Sequence, residues 1–116
     1  MIFTLFVYNL VLALIIIALA VPLYMEKIHI NRWYGVRLPK SYESEQNWHR
    51  INKLWAKKAF LWASVYILAD IIIYVLGVLL TPRNELIFIL LFSLLPVMIA
   101  AMLFIAAIIV SSKIII

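Results

Sequence analysis

The chain has 116 residues, 68% of them hydrophobic, with a mean hydropathy of +1.15 and a formal charge of +5. Soluble domains hold roughly 45–50% apolar residues, and a chain this short has too little interior to hide the excess, so a water-soluble globular domain is excluded. The absence of cysteine excludes disulfides and thiolate metal sites.

The expected architecture is an all-α integral membrane protein, a single membrane domain over residues 1–116 with three transmembrane helices. A hydrocarbon core of about 30 Å needs about 20 apolar residues in a helix, and three runs are long enough. The first covers about 2–24. Ala18-Leu19-Ala20 has the look of a leader cleavage site, but the apolar stretch is too long and its start carries no basic side chain, so a retained helix is expected. Residues 25–58 form a long polar loop that ends in an amphipathic, interfacial helix. The second span covers about 59–80, Thr81-Pro82-Arg83-Asn84-Glu85 makes a tight turn, and the third span covers about 86–110. The short turn predicts that the second and third helices are antiparallel neighbours.

Lys and Arg set the orientation. Eight of the ten fall in residues 25–58; Lys113 shares their side, and only Arg83 lies opposite. The positive-inside rule then places the N-terminus outside and the loop and C-terminus in the cytoplasm. Basic residues this close to membrane spans are expected to meet lipid rather than nucleic acid.

Within the loop, Trp48, Trp55 and Trp62 recur every seven residues, with Ile51 between the first two. That period puts the indoles on one helix face and predicts an interfacial anchor, with Arg50, Lys53 and Lys57 on the other face. Ser41 or Ser44 is the candidate N-cap, and Glu43 and Glu45 complement the helix dipole. Residues 31–41 have no apolar period. Gly35 permits a turn other residues cannot make, and Pro39 forces Leu38 out of the helical region, which fixes Arg37 on a shaped loop. A guanidinium so placed can grip a carboxylate, a phosphate or carbonyls, or can tie the loop to Glu43, Glu45 or a lipid phosphate.

The string Asn31-Arg32-x-Tyr34-Gly35-Val36-Arg37-Leu38-Pro39, followed by Ser41, Ser44, Glu45, Trp48 and Asn52, resembles the signature of the SdpI family of small bacterial membrane proteins, the immunity-protein type. The resemblance covers roughly residues 10–80 and is most specific over 31–52. Leu38-Pro39-Lys40-Ser41 departs from the Thr-Pro-Trp-Thr pattern of the family's namesake, which also has about twice as many spans. The resemblance implies a bacterial inner-membrane protein whose cytoplasmic loop, through Asn31, Tyr34, Gly35, Arg37, Pro39, Ser41, Glu45, Trp48 and Asn52, recognises a partner. In the namesake's system that partner is a transcriptional repressor, held at the membrane when a secreted toxic peptide is present. Immunity itself does not follow, because the family is broad.

Asp70 lies near the middle of the second span, where an ionised carboxylate costs on the order of 3 kcal/mol. It is expected to face protein, with Tyr66 and Tyr74 at i−4 and i+4 on the same face. Pro96 leaves the carbonyl of Phe92 without its helical donor, so a protonated Asp70 can donate to that carbonyl or to Ser93 and clasp the second and third helices. A proton relay is the alternative. Glu26 with His29 and Glu45 with His49 have ligand spacing, but such spacing is common and the sequence alone assigns no metal and no cofactor.

There is no phosphate loop, nucleophile elbow or zinc-protease motif, and the reading is not an enzyme. Two functions fit: a small binding and signalling protein of the immunity type, or an accessory structural subunit of a larger respiratory or transport complex. Lipids are expected neighbours. A regulator, a peptide, a larger complex or a second copy is the expected protein partner, since Ala100, Ala101, Ala106 and Ala107 allow close helix approach.

Overall fold

The computed structural model describes residues 2–80 and 85–113. The described residues form α1 (Ile2–Tyr24), a single-turn 3₁₀ helix (Pro39–Tyr42), α2 (Glu45–Leu80) and α3 (Glu85–Lys113), with no strand among them. All three α-helices are long and apolar enough to cross a membrane. Of the turn expected at 81–85, residues 81–84, with Arg83, lie outside the described residues, and Glu85 is the first residue of α3.

The helices run up, down and up. Ile2 and Phe88 both border Gly77, so the start of α1, the end of α2 and the start of α3 share one end. At the other end Val110 clusters with Val36 and Ile51. The 25–44 loop therefore caps the end where α1 and α3 finish and α2 begins.

α1 ends in a Schellman motif: Glu26 N–H donates to Leu23 O at 3.2 Å and Lys27 N–H to Pro22 O at 3.0 Å. Glu26 occupies the left-handed position usually given to glycine, at φ 59°. At the start of α2 the Ser44 hydroxyl accepts the Asn47 N–H at 2.9 Å, so Ser44 rather than Ser41 is the cap.

The interfacial helix is not a separate element. α2 is one unbroken helix of 36 residues, about 54 Å at 1.5 Å per residue, against about 40–45 Å for a whole bilayer. It contains no proline, and its one glycine is Gly77, so nothing in the sequence breaks it where the membrane begins. The second span thus continues beyond the membrane as a stalk.

Helix contacts are built from small side chains. Ala20 and Leu23 of α1 meet Ala56 and Ala59 of α2, and Ala13 of α1 clusters with Tyr66 of α2 and Ile99 of α3. Lipid supplies no hydrophobic drive between helices, so close packing has to hold them, and alanine permits it. On α3, Ala106 is buried, whereas Ala100 and Ala101 face outward. Outward residues such as Leu79, Leu86 and Phe104, each about two-thirds exposed or more, form the apolar exterior expected of a chain solvated by lipid.

Candidate functional site

The loop folds around a small number of polar side chains. The Asn31 amide donates to His29 O at 2.7 Å and Tyr34 O at 3.1 Å, while its oxygen accepts the N–H groups of Trp33 and Tyr34 at 2.8 and 2.6 Å. One asparagine therefore closes the turn from 29 to 34. The Tyr34 hydroxyl donates to Leu19 O of α1, and burial pushes its pKa up, so it remains a donor.

A second knot joins the loop to α2. Asn52, fully buried, accepts the Val36 N–H with its side-chain oxygen and donates to Trp48 O at 2.9 Å. The Trp48 indole donates to Ile28 O at 2.7 Å. Gly35 passes over this pair at φ 113°, and a Cβ there would lie 2.8 Å from Asn52 Oδ1 and 3.0 Å from Trp48 Cζ2. Only glycine satisfies both the backbone and the space. Ser41, also buried, accepts from Leu38 N–H at 3.0 Å and donates to Leu38 O at 2.6 Å, which starts the turn at Pro39.

Most of the sequence signature is thus architecture. Asn31, Tyr34, Gly35, Ser41, Trp48 and Asn52 hold the loop together, whereas Arg37, Pro39 and Glu45 remain exposed. The Arg37 guanidinium donates to Arg32 O within the loop. No ion pair joins it to Glu43 or Glu45 among the described residues. Trp48 is not an interfacial anchor, since none of it is accessible. Trp55 is half-buried and donates to Leu103 O of α3 at 2.9 Å, and Trp62 packs against the Ala13, Tyr66 and Ile99 cluster. The seven-residue period marks the inward face of α2, because these indoles meet helices and loop there.

Arg37 borders a groove of about 740 Å³ between the loop, the end of α1 and the last half of α3, lined in part by Leu19, Trp33, Leu38, Tyr42 and Phe104. Trp33, at 87% exposure, stands on its rim. It occupies an unspecified position of the signature; a tryptophan in a polar loop with no apolar period was the signal for it.

Deep in the bundle, Asp70 is fully buried, and no hydrogen bond of ordinary geometry reaches either carboxyl oxygen among the described residues, although the Asn9 side chain lies close enough to interact with it. The Phe92 carbonyl that Pro96 leaves available does gain a side-chain donor, but it is the Asn9 amide of α1 at 3.2 Å. Tyr66 donates to Asn9 Oδ1. The clasp therefore joins all three helices through Asn9. Ser93 faces outward and donates to Ile89 O at 2.8 Å, and Tyr74 stacks on Phe6 at 4.5 Å. Asn9 was detectable as a lone amide in an otherwise apolar span.

At the start of α2, His49 and Glu45 meet His29 of the loop, with Glu45 Oε2 3.2 Å from His49 Nε2 and 3.9 Å from His29 Nδ1.

The family model described as the SdpI/YfhL protein family matches residues 27–112, from the start of the loop through nearly all of α3. No curated protein and no solved structure matches the chain. A match over most of the chain, together with a loop in which the signature residues bond to one another, makes this protein a multi-pass membrane member of the SdpI/YfhL family.

Proposed function

We propose that the protein is a binding and signalling component of the immunity type, resident in the bacterial plasma membrane with its N-terminus outside and its loop and C-terminus in the cytoplasm. It works by recognition rather than catalysis, and the loop-end groove is the recognition surface. The observation that carries this reading is the pairing of a rigid frame with an unsupported rim. Six signature residues are used up in fixing the loop, while Trp33 is exposed and Arg37 is held by one backbone carbonyl beside an apolar groove. Exposed tryptophan and arginine are the residue types that dominate protein-binding hot spots. Nine basic residues on one side against one on the other support the orientation.

The test is a pull-down from native membranes in mild detergent, with mass spectrometry of what remains bound. A soluble regulator or small peptide that is lost on Arg37→Ala or Trp33→Ala is the expected result. A stoichiometric set of large membrane subunits, retained by both variants, would replace this reading with that of an accessory subunit.

A further inference from the structure

We propose that His29, Glu45 and His49 form a binding site for a single borderline transition cation of the Zn²⁺ type, which clamps the loop to the start of α2. Their ligand atoms all lie within 4.8 Å of one another. Around tetrahedral zinc with bonds of about 2.0–2.1 Å, ligand atoms sit about 3.3–3.4 Å apart. The Glu45–His49 separation of 3.2 Å already matches, while the Glu45–His29 separation of 3.9 Å and a widest ligand separation within 4.8 Å require the exposed His29 ring to turn inward on binding. The imidazoles stand 5.8 Å apart at 71° to each other, so two nitrogens converge without stacked rings.

The three residues come from two separately anchored segments. Glu45 and His49 are i and i+4 on the first turns of α2, capped by Ser44. His29 is 20 residues before His49, yet its backbone is pinned on both sides: Trp48 Nε1 donates to the carbonyl of Ile28, and Asn31 Nδ2 to that of His29. The backbone that presents the ligands is set before any ion arrives, which reduces the ordering cost of binding. Exposures of 79% for His29 and 55% for Glu45 leave the site open to entry from water.

Two imidazoles and one carboxylate favour zinc and its neighbours over Mg²⁺ or Ca²⁺, which take oxygen ligands. Three protein ligands leave a fourth position for water. Beside the site, Glu26 lines the groove next to His49 from the left-handed position that closes α1. Its carboxylate adds negative charge where Arg50 and Lys53 would otherwise repel a cation.

The test uses tag-free full-length protein in mild detergent, stripped with chelator, then titrated with Zn²⁺ by calorimetry and with Co²⁺ by visible absorption. The expected result is one equivalent per chain, intense absorption of tetrahedral Co²⁺, and no competition from excess Mg²⁺. His29→Ala and the near-isosteric Glu45→Gln should each weaken Zn²⁺ binding by more than about 100-fold, the upper end of losses seen when only an outer-shell partner is removed. Both variants should unfold at the wild-type midpoint in chelator, because neither side chain is buried. Absence of saturable binding, an octahedral Co²⁺ spectrum, or Zn²⁺ binding unchanged in both variants would overturn the site and leave an ordinary Glu–His ion pair. The result is independent of the partner pull-down, since either can fail while the other succeeds.

Discussion

At the loop end, Ser41, Trp48 and Asn52 are fully buried and each directs its polar atoms at backbone groups; at mid-membrane Asp70 is equally buried, and no hydrogen bond of ordinary geometry reaches its oxygens among the described residues. The same residue class, hidden to the same degree, is architecture in one place and a cost in the other. A satisfied buried network fixes a unique conformation, whereas an unsatisfied polar group destabilises the fold that contains it. The loop end is thus built for shape, whereas the bundle interior buries the Asp70 carboxyl without a hydrogen bond of ordinary geometry among the described residues.

The strongest way to break that contrast is at Gly35. Gly35→Ala forces a Cβ onto Asn52 and Trp48 in a left-handed backbone, and it should cost about 2–4 kcal/mol. Thermal unfolding in detergent and faster proteolysis within 25–44 would report it. Cleavage at the wild-type rate would mean that the knot does not hold the loop.

Asn52→Ala comes next. It strands the buried Val36 N–H and should destabilise by about 1–3 kcal/mol, measured by the same unfolding assay. Asp70→Asn sharpens the other side of the comparison, because it removes the ionisable group at nearly constant shape. Stability should rise by up to about 1 kcal/mol, with any loss confined to function. A drop in stability would show that the carboxylate is satisfied after all.

The smallest expected effect on stability belongs to Arg37→Ala and Trp33→Ala. Exposed residues outside such networks usually change stability by less than about 0.5 kcal/mol. Both variants should therefore fold like the wild type while losing the captured partner. Equal loss of folding and capture would make the rim part of the frame.

Three spans, the loop between the first two and a serine cap before α2, at Ser41 or Ser44, were legible because each depends on neighbours within a few residues: runs of apolar side chains, a hydroxyl before a helix, a glycine before a proline. The Trp48–Trp55–Trp62 spacing was legible as one helix face, but not which surroundings that face meets. A period specifies an angle around the helix axis and says nothing about whether lipid headgroups or other helices lie in that direction. For the same reason the interfacial helix and the second span read as two elements, although one unbroken helix carries both.

What the sequence by itself determined is the solvent and the scaffold: lipid around three helices, with a basic polar segment at one end. Only the tertiary structure decided the partners. It gave the Phe92 carbonyl to Asn9 across 83 residues, turned Trp48 inward to Ile28, and brought His29 to Glu45 and His49. Local structure follows from covalent neighbours and solvent, whereas these contacts exist only after helices have packed at a particular depth and rotation. That depth and rotation are set by small side chains such as Ala20, Ala56 and Ala59, whose importance shows only when another helix lies against them.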